Sequence, residues 1–176
     1  MAQPQLDFPI GDFEKNWMYA ALGQKLWLFY SVNPYRVLRL KNDGEFQFQT
    51  VINTDEFEKL KDPGGFGTRV SLSANPIDYD DKHLLLIIHQ IQHRVTGRCY
   101  FHWAVLIDKK TLLPVKISSK PIFDGKGARG RTPGIRYISS ILKDTDDIVF
   151  FAGEGDVYCT LARKTISGLD MLWEKI

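Results

Sequence analysis

The stretch that decides the fold is residues 83–91, which reads His-Leu-Leu-Leu-Ile-Ile-His-Gln-Ile. Leu84–Ile88 is an unbroken apolar run, far shorter than the roughly 20 residues that span a bilayer. A run of this length is typical of a strand covered on both faces. Two similar runs, Leu26–Tyr30 and Ile148–Phe151, also follow polar loops. The three runs therefore predict three strands, each buried between neighbouring sheets.

Each apolar run follows a hairpin loop and an opening strand of small and aromatic residues. The three opening strands are Asn16–Ala20, Arg69–Ser73 and Ile135–Ser140, and they start 53 and 66 residues apart. Self-similarity at about 50 residues, with about four strands in each unit, is typical of β-propeller blades. An ordinary β-sandwich with similar hairpins is the alternative.

We therefore predict an all-β chain that forms a partial β-propeller of about three four-stranded blades. The blades cover approximately residues 13–52, 69–122 and 134–176, within a single domain spanning residues 1–176. Only Asp55–Lys61 and Gly168–Lys175 have a helical pattern, and the second overlaps the last expected strand, Leu169–Ile176. Because a closed propeller needs about four to eight blades, three blades indicate an incomplete ring, association with another chain, or a sandwich.

The composition excludes several classes of function. The chain has 176 residues, 44% of them hydrophobic, and 23 Lys and Arg against 21 Asp and Glu, for a net charge of +2. A chain so close to neutral has no global field that attracts nucleic acid or anionic lipid, so we expect neither as a partner. Two cysteines give neither a disulfide framework nor a zinc pattern. Residues 1–10 lack the features of a signal peptide, and we expect a cytoplasmic protein without a metal.

Several short motifs occur in a recognisable order. They are Phe13–Trp17, Leu28–Pro34, Leu85–His89 followed by Tyr100, and the Gly153–Asp156 turn. In this order and spacing they resemble the motifs of the five-bladed β-propellers of glycoside hydrolase family 130. That family contains inverting β-mannoside phosphorylases and β-1,2-mannosidases. The resemblance covers almost the whole chain.

The resemblance also implies which part of the family's machinery the chain carries. In the phosphorylases the proton donor is an aspartate in an early Glu-Asp-Pro-Arg motif, which this sequence lacks. The resemblance thus implies the C-terminal three blades, with the proton donor on a missing N-terminal part and no catalytic residue identified. The positions that carry over are Lys15, Asn16, His89 and Tyr100, and the family keeps an aspartate at Asp156. Inorganic phosphate is the implied co-substrate, and no other cofactor is expected.

The same residues support this chemistry when they are considered alone. Lys15 and Asn16 place an ammonium and an amide beside the indole of Trp17, as in a sugar or phosphate site. Arg69 adds a guanidinium that can hold phosphate at two points. The alternatives are that Lys15 is a solvated lysine at the end of a strand and that His89 is packed between blades.

Inverting hydrolysis needs two carboxyl groups about 6.5–9.5 Å apart, one acting as acid and one as base. The candidates are Asp108, Glu154 and Asp156. We interpret Glu154 as part of a hairpin turn, where Gly and Asp are common, and leave the role of Asp156 open between turn and sugar binding. His89, His93 and His102 do not fit a zinc ligand set, because no Cys or acidic residue joins them at a suitable spacing.

A glycine-rich basic stretch, Gly125–Gly134, resembles a phosphate loop only superficially. It lacks the Gly-Lys-Ser/Thr ending, and no helix is expected after it. Lys126, Arg129 and Arg131 are not interleaved with aromatic residues, as nucleic-acid binding would favour. The stretch is predicted to be a flexible loop between the second and third blades.

The sequence therefore predicts a carbohydrate-active propeller that resembles inverting β-mannoside phosphorylases and hydrolases and lacks the proton donor. The expected ligand is an oligosaccharide or glycoconjugate. The alternative is a non-catalytic glycan-binding or protein-interaction module, within a glycosyltransferase-associated protein.

Overall fold

A computed structural model describes residues 4–11, 16–42, 44–95 and 97–176 of the chain. Nearly all regular structure in these residues is β-strand, arranged in three separate sheets. The all-β fold with several antiparallel sheets, predicted from the repeated units, is confirmed. No helix in the described ranges is long and apolar enough to cross a membrane.

The first sheet comes from the N-terminal third of the chain. Four strands follow one another as antiparallel neighbours, and a short N-terminal strand pairs in parallel with the last of them. In chain order the strands are β1 (Gln5–Leu6), β2 (Met18–Leu22), β3 (Lys25–Val32), β4 (Tyr35–Asn42) and β5 (Gln47–Thr54).

The second sheet lies in the middle of the molecule. A one-turn helix, α1 (Glu58–Lys61), lies in the connection that leads to it, within the segment expected to be helical. Its four consecutive strands are antiparallel, and a two-residue strand pairs with the third of them. The strands are β6 (Val70–Asp78), β7 (His83–Arg94), β8 (Gly97–Asp108), β9 (Pro114–Ser118) and β10 (Phe123–Asp124).

The third sheet has three strands rather than four: β11 (Arg136–Asp144), β12 (Asp147–Glu154) and β13 (Tyr158–Thr165). The sequence grouped residues 169–176 with this sheet as its last strand. In the structure a short helix, α2 (Ile166–Asp170), follows β13, and the final strand β14 (Trp173–Lys175) pairs with β9 of the second sheet instead.

Burial and capping explain why the chain leaves the third sheet. The side chain of Thr165 accepts a hydrogen bond from the Gly168 amide and caps α2. Leu169 is fully buried between the second and third sheets, and Trp173 packs edge-on against Tyr79. These contacts bury apolar surface of the C-terminal segment, which stabilises its position on the second sheet.

The alternation of β7 explains its unbroken apolar run. Leu84, Leu86 and Ile88 face the first sheet, whereas Leu85 and Ile87 face the third. The second sheet is therefore covered on both faces, as the sequence predicted for this run. Each of these buried side chains stabilises the fold by about 1.5–3 kcal/mol relative to an exposed one.

The opening strands of the three sheets, β2, β6 and β11, lie next to one another, with β6 in the middle. The amide of Tyr19 donates to Asn75 Oδ1 at 2.9 Å, and Ser73 Oγ donates to the Ile138 carbonyl at 2.6 Å. The three repeated units thus converge on one axis, and residues that are distant in sequence meet there.

Candidate functional site

A pocket of about 340 Å³ opens where the opening strands converge, and we call it the central pocket. Four of the six residues predicted from the sequence line it: Asn16, Arg69, His89 and Tyr100. Its other lining residues are Thr68, Ser71, Ile91, His93 and Tyr137.

Strand pairing accounts for this convergence. Ser71 of β6 lies opposite His89 of β7, and Ile91 of β7 lies opposite Tyr100 of β8. Residues directly opposite each other in an antiparallel pair point to the same face. Three strands therefore present their polar and aromatic side chains to one side, towards the third sheet.

Aromatic rings form one wall of the central pocket. The rings of His89 and Tyr100 are stacked, with centroids 5.4 Å apart and planes inclined by 16°. The ring of Tyr137 meets His89 edge-on, with centroids 5.4 Å apart. Such pairs hold each other in place, so the wall is fixed before any ligand binds.

Tyr137 links the third sheet to the second sheet and to the segment that precedes β2. Its hydroxyl donates to the Ser73 carbonyl at 3.3 Å and lies 3.4 Å from Asn16 Oδ1. Burial raises the pKa of this hydroxyl above its usual value of 10.0, with the nearby Tyr100 contributing. Tyr137 is therefore protonated at neutral pH and can donate a hydrogen bond.

His102 lies behind the pocket wall and is fully buried. Its Nε2 accepts a hydrogen bond from the Ile138 amide at 3.4 Å, which leaves the proton of the neutral ring on Nδ1. Burial lowers the pKa of His102 well below 6.5, and the charges of His89 and Arg136 lower it further. His102 therefore stays neutral at physiological pH and helps join the second sheet to the third.

Arg69 and Asn16 supply the polar groups at the pocket entrance. The guanidinium of Arg69 is exposed and makes no hydrogen bond or ion pair within the described ranges. Asn16 has a φ of 65°, which asparagine tolerates better than most residues. Lys15, the remaining cation that the sequence proposed here, lies outside the described residues, as do Phe13 and Glu14 of the same motif.

Asp156, the sixth predicted residue, does not line the central pocket. It lies in the turn after β12 with a φ of 60°, and its Oδ2 accepts a hydrogen bond from Thr132 Oγ1 at 2.6 Å. The aspartate borders an adjoining cavity of about 510 Å³, whose walls also include Tyr100 and Tyr137. Its carboxylate holds the 125–134 loop against the turn.

Glu154 also helps to hold the 125–134 loop against the turn after β12. Only 3% of its surface is exposed, and its Oε1 accepts from the Arg129 amide at 2.6 Å and from Arg136 Nη2 at 3.4 Å. The Arg129 amide lowers the pKa of Glu154 below 4.5, and the Arg136 charge adds to this effect. Asp108 is engaged too, because its Oδ1 accepts from the amides of Lys110 and Thr111.

The central pocket therefore contains amide, guanidinium, imidazole and hydroxyl groups beside aromatic rings. Among its described lining residues there is no carboxylate. A concave site with a few converging polar groups and aromatic walls suits a polyhydroxylated or oxyanionic ligand. Acid–base cleavage of a glycoside needs carboxyl groups, and the three that the sequence proposed are engaged elsewhere.

Tyr137 is the main lining residue that the sequence reasoning did not single out. The signal was present in the repeat, because Tyr137 is the third residue of the opening strand Ile135–Ser140, as Ser71 is of Arg69–Ser73, and both line the pocket. Equivalent positions of repeated units meet at the axis of a propeller, and this would have added Tyr137 to the predicted site.

The chain matches no protein-family model and no curated protein in sequence. Its fold is nevertheless similar to solved structures. The β-1,2-mannobiose phosphorylase from Listeria innocua, in complex with β-1,2-mannobiose, has a TM-score of 0.62 at 14% identity, over 92% of this chain and 48% of that one. A glycosyl hydrolase from Bacteroides ovatus has a TM-score of 0.57 at 14% identity, over 83% of this chain and 44% of that one.

A third similar structure is described as part of the GH130 family of mannoside phosphorylases, which contains glycoside hydrolases that target β-1,2 mannosidic linkages in Candida mannan. It has a TM-score of 0.57 at 14% identity, over 83% of this chain and 44% of that one. At this identity the likeness shows a common fold. The chain spans about half the length of the structures that it matches.

Proposed function

We propose that the chain is part of a carbohydrate-active propeller and that its central pocket binds a β-mannoside. One observation carries the proposal: Asn16, Arg69, His89 and Tyr100, taken from four separate segments, line one pocket in a fold like that of a mannobiose phosphorylase. Amide, guanidinium and hydroxyl groups suit the hydroxyls of a sugar, and tyrosine rings suit its apolar face.

Phosphate is the proposed co-substrate, and Arg69 is the cation we assign to it. Its guanidinium is exposed at the pocket and has no carboxylate partner within the described ranges. A guanidinium in this position can hold two phosphate oxygens at once. His89 and Asn16 supply further hydrogen-bonding groups beside it.

A second candidate is a glycan-binding module without catalysis. It is favoured by the engagement of Asp108, Glu154 and Asp156 in turns and loops. In either case we propose that the described residues bind the sugar and that the proton donor, where cleavage occurs, comes from elsewhere.

The test is calorimetric titration of the chain with β-1,2-mannobiose, and with cellobiose as a matched disaccharide. In the presence of inorganic phosphate, which Arg69 is proposed to hold beside the sugar, we expect binding of mannobiose, weaker binding of cellobiose, and loss of about tenfold or more in mannobiose affinity in Arg69→Ala. Lys25→Gln, which removes an exposed charge of the first sheet, should leave the affinity unchanged.

An assay for released mannose and mannose 1-phosphate tests whether the proton donor lies outside this chain. The proposal expects neither product from the purified chain, with or without inorganic phosphate. Turnover by the chain alone would overturn the assignment of the proton donor to another region. Absence of any mannobiose binding would overturn the sugar-binding proposal itself.

A further inference from the structure

The edge of the third sheet that is remote from the central pocket differs from the corresponding edges of the other two sheets. It is formed by β13, which pairs with β12 on one side and, in the part of the chain that the structure describes, with no strand on the other. β13 is eight residues long. The first and second sheets end instead in β1 and β14, which are two and three residues long. The third sheet therefore has a much longer open edge than its neighbours.

The sequence at this edge lacks the features that usually protect an edge strand. Residues 157–162 read Val-Tyr-Cys-Thr-Leu-Ala, with no charge, proline or glycine, and most of these residue types favour strands. The pairing of β13 with β12 is regular, without a bulge. The short edge strand β14, in contrast, carries Glu174 and Lys175. Because charge, proline, bulges and short length are the usual means of blocking an edge, β13 is open to a further strand.

Large apolar side chains are also exposed along this edge. Val157, Tyr158 and Leu161 are 55%, 49% and 57% exposed. Leu161 lies opposite Phe151 of β12, which is 39% exposed. Apolar side chains grouped in this way on a protein surface commonly mark an interaction site.

The two cations of β13 have partners within the chain. Arg163 Nη1 lies 2.7 Å from a carboxylate oxygen of Asp144 and 3.6 Å from one of Asp147. Lys164 lies over the Phe123 ring, with its Nζ 4.8 Å from the ring centroid. These contacts partly offset the charge at the C-terminal end of the strand, so it repels an added strand less than two free cations would.

We propose that β13 pairs with β13 of a second copy of this chain, antiparallel about a two-fold axis at Leu161. The two three-stranded sheets then form one continuous sheet of six strands. Two-fold dimers are the commonest homo-oligomers, and in them the same surface meets itself. This inference rests on the edge of the third sheet and does not depend on sugar binding in the central pocket.

The residues of β13 are self-complementary in this register. Directly opposite residues of an antiparallel pair lie on the same face, and on the axis Leu161 meets Leu161 of the second copy. Tyr158 then lies opposite Lys164 of the second copy, where a ring and an ammonium attract each other. Cys159 lies opposite Arg163 of the second copy. No like charges face each other, whereas an axis at Arg163 would place two guanidiniums directly opposite, which is destabilising.

A second copy suits this edge better than a charged strand of another protein. An acidic strand would need free cations, and Arg163 already has two carboxylates beside it. A basic strand would meet Arg163 and Lys164 as like charges. An uncharged and largely apolar strand remains, and residues 157–162 of this chain are such a strand.

The first test is sedimentation velocity of the full chain over a range of concentrations. We expect a reversible equilibrium between monomer and dimer. Leu161→Lys places two ammoniums opposite each other on the axis and removes the contact between the two leucines, so the dimer should weaken about tenfold or more. Because Leu161 is more than half exposed, the circular dichroism spectrum of the variant should match that of the wild type.

Leu142→Lys is the matched control. Leu142 is 54% exposed, similar to Leu161, and lies on β11, two strands away from the proposed interface. This variant makes the same change of charge and should dimerise as the wild type does. Equal weakening in the two variants would assign the interface to the face of the third sheet and would overturn pairing at its edge.

Cross-linking tests the register without relying on the lysine variant. In a Cys159→Ser background, Leu161→Cys brings two thiols opposite each other on the axis, at a spacing that a disulfide can bridge. We expect a disulfide-linked dimer after mild oxidation. In the wild type the two exposed Cys159 thiols would be four residues apart along the strands, about 13 Å, and should not cross-link.

Two further results would overturn the proposal. The first is a wild-type chain that stays monomeric at concentrations up to about 1 mM, which would leave the edge to a strand of another protein or to none. The second is oxidation that links the wild type through Cys159 and fails to link the Leu161→Cys variant, which would exclude the register about Leu161. Titration of Leu161→Lys with β-1,2-mannobiose is independent of both results, so the dimer and the sugar site can each fail alone.

Discussion

The central pocket and the Glu154–Asp156 turn are neighbouring polar regions whose charged side chains are used in opposite ways. In the pocket the guanidinium of Arg69 has no partner among the described residues. In the turn both carboxylates accept hydrogen bonds from the 125–134 loop. The difference teaches that a polar residue beside a cavity is a binding candidate only when the fold leaves its bonding capacity unused.

We infer that the turn stabilises the fold. Of the substitutions proposed here, we expect that of Glu154 to change the free energy of unfolding most. Glu154→Ala removes a buried carboxylate and leaves Arg136 and the Arg129 amide without their partner. Breaking a buried pair of this kind costs about 3 kcal/mol, and we expect that loss in the free energy of unfolding by urea.

Glu56→Ala is the matched control, because Glu56 is exposed and its loss should change stability by less than about 0.5 kcal/mol. If Glu154→Ala were as stable as this control, the hydrogen bonds of Glu154 would not stabilise the fold, and the contrast between turn and pocket would be wrong.

The same contrast predicts a dependence on pH. Folding lowers the pKa of Glu154 below 4.5, so its contribution is complete above that value and is lost as the pH falls through the folded pKa. The stability difference between wild type and Glu154→Gln should therefore be largest near neutral pH and shrink in acid. Urea unfolding at several pH values measures it, and a difference that grew in acid would contradict the assigned direction.

The pocket half of the comparison predicts effects on binding without effects on folding. Arg69→Lys keeps the positive charge but loses the planar guanidinium that can hold two phosphate oxygens. We therefore expect its affinity for β-1,2-mannobiose, measured with phosphate present, to lie between the affinities of the wild type and Arg69→Ala. The unfolding free energy should change by less than about 0.5 kcal/mol, because Arg69 is exposed. A large loss of stability would show that Arg69 is structural, as Glu154 is.

The smallest effect is expected at Asp156. Asp156→Asn keeps an acceptor for Thr132 Oγ1 and a residue type that tolerates a φ of 60°. Stability should change by less than about 0.5 kcal/mol, and mannobiose affinity should not change. A loss of mannobiose affinity in this variant would show that Asp156 takes part in sugar binding, as the sequence predicted.

The sequence predicted what depends on local pattern. Unbroken apolar runs and the repeated units predicted the β-sheets. The order of the short motifs grouped His89 with Tyr100, and strand pairing brings their rings together. What it missed depends on contacts between sheets. Tyr137 reaches the pocket through the packing of β11 on β6, and β14 joins the second sheet because Leu169 and Trp173 bury there. Neither contact can be recognised from a short stretch of sequence.

The most direct test of the central claim is a crystal structure of the chain with β-1,2-mannobiose and phosphate. The account predicts density for the sugar in the central pocket, against Tyr100 and Tyr137, with phosphate oxygens at the Arg69 guanidinium. Density for the sugar against the carboxylates of Glu154 and Asp156, with an empty central pocket, would contradict it.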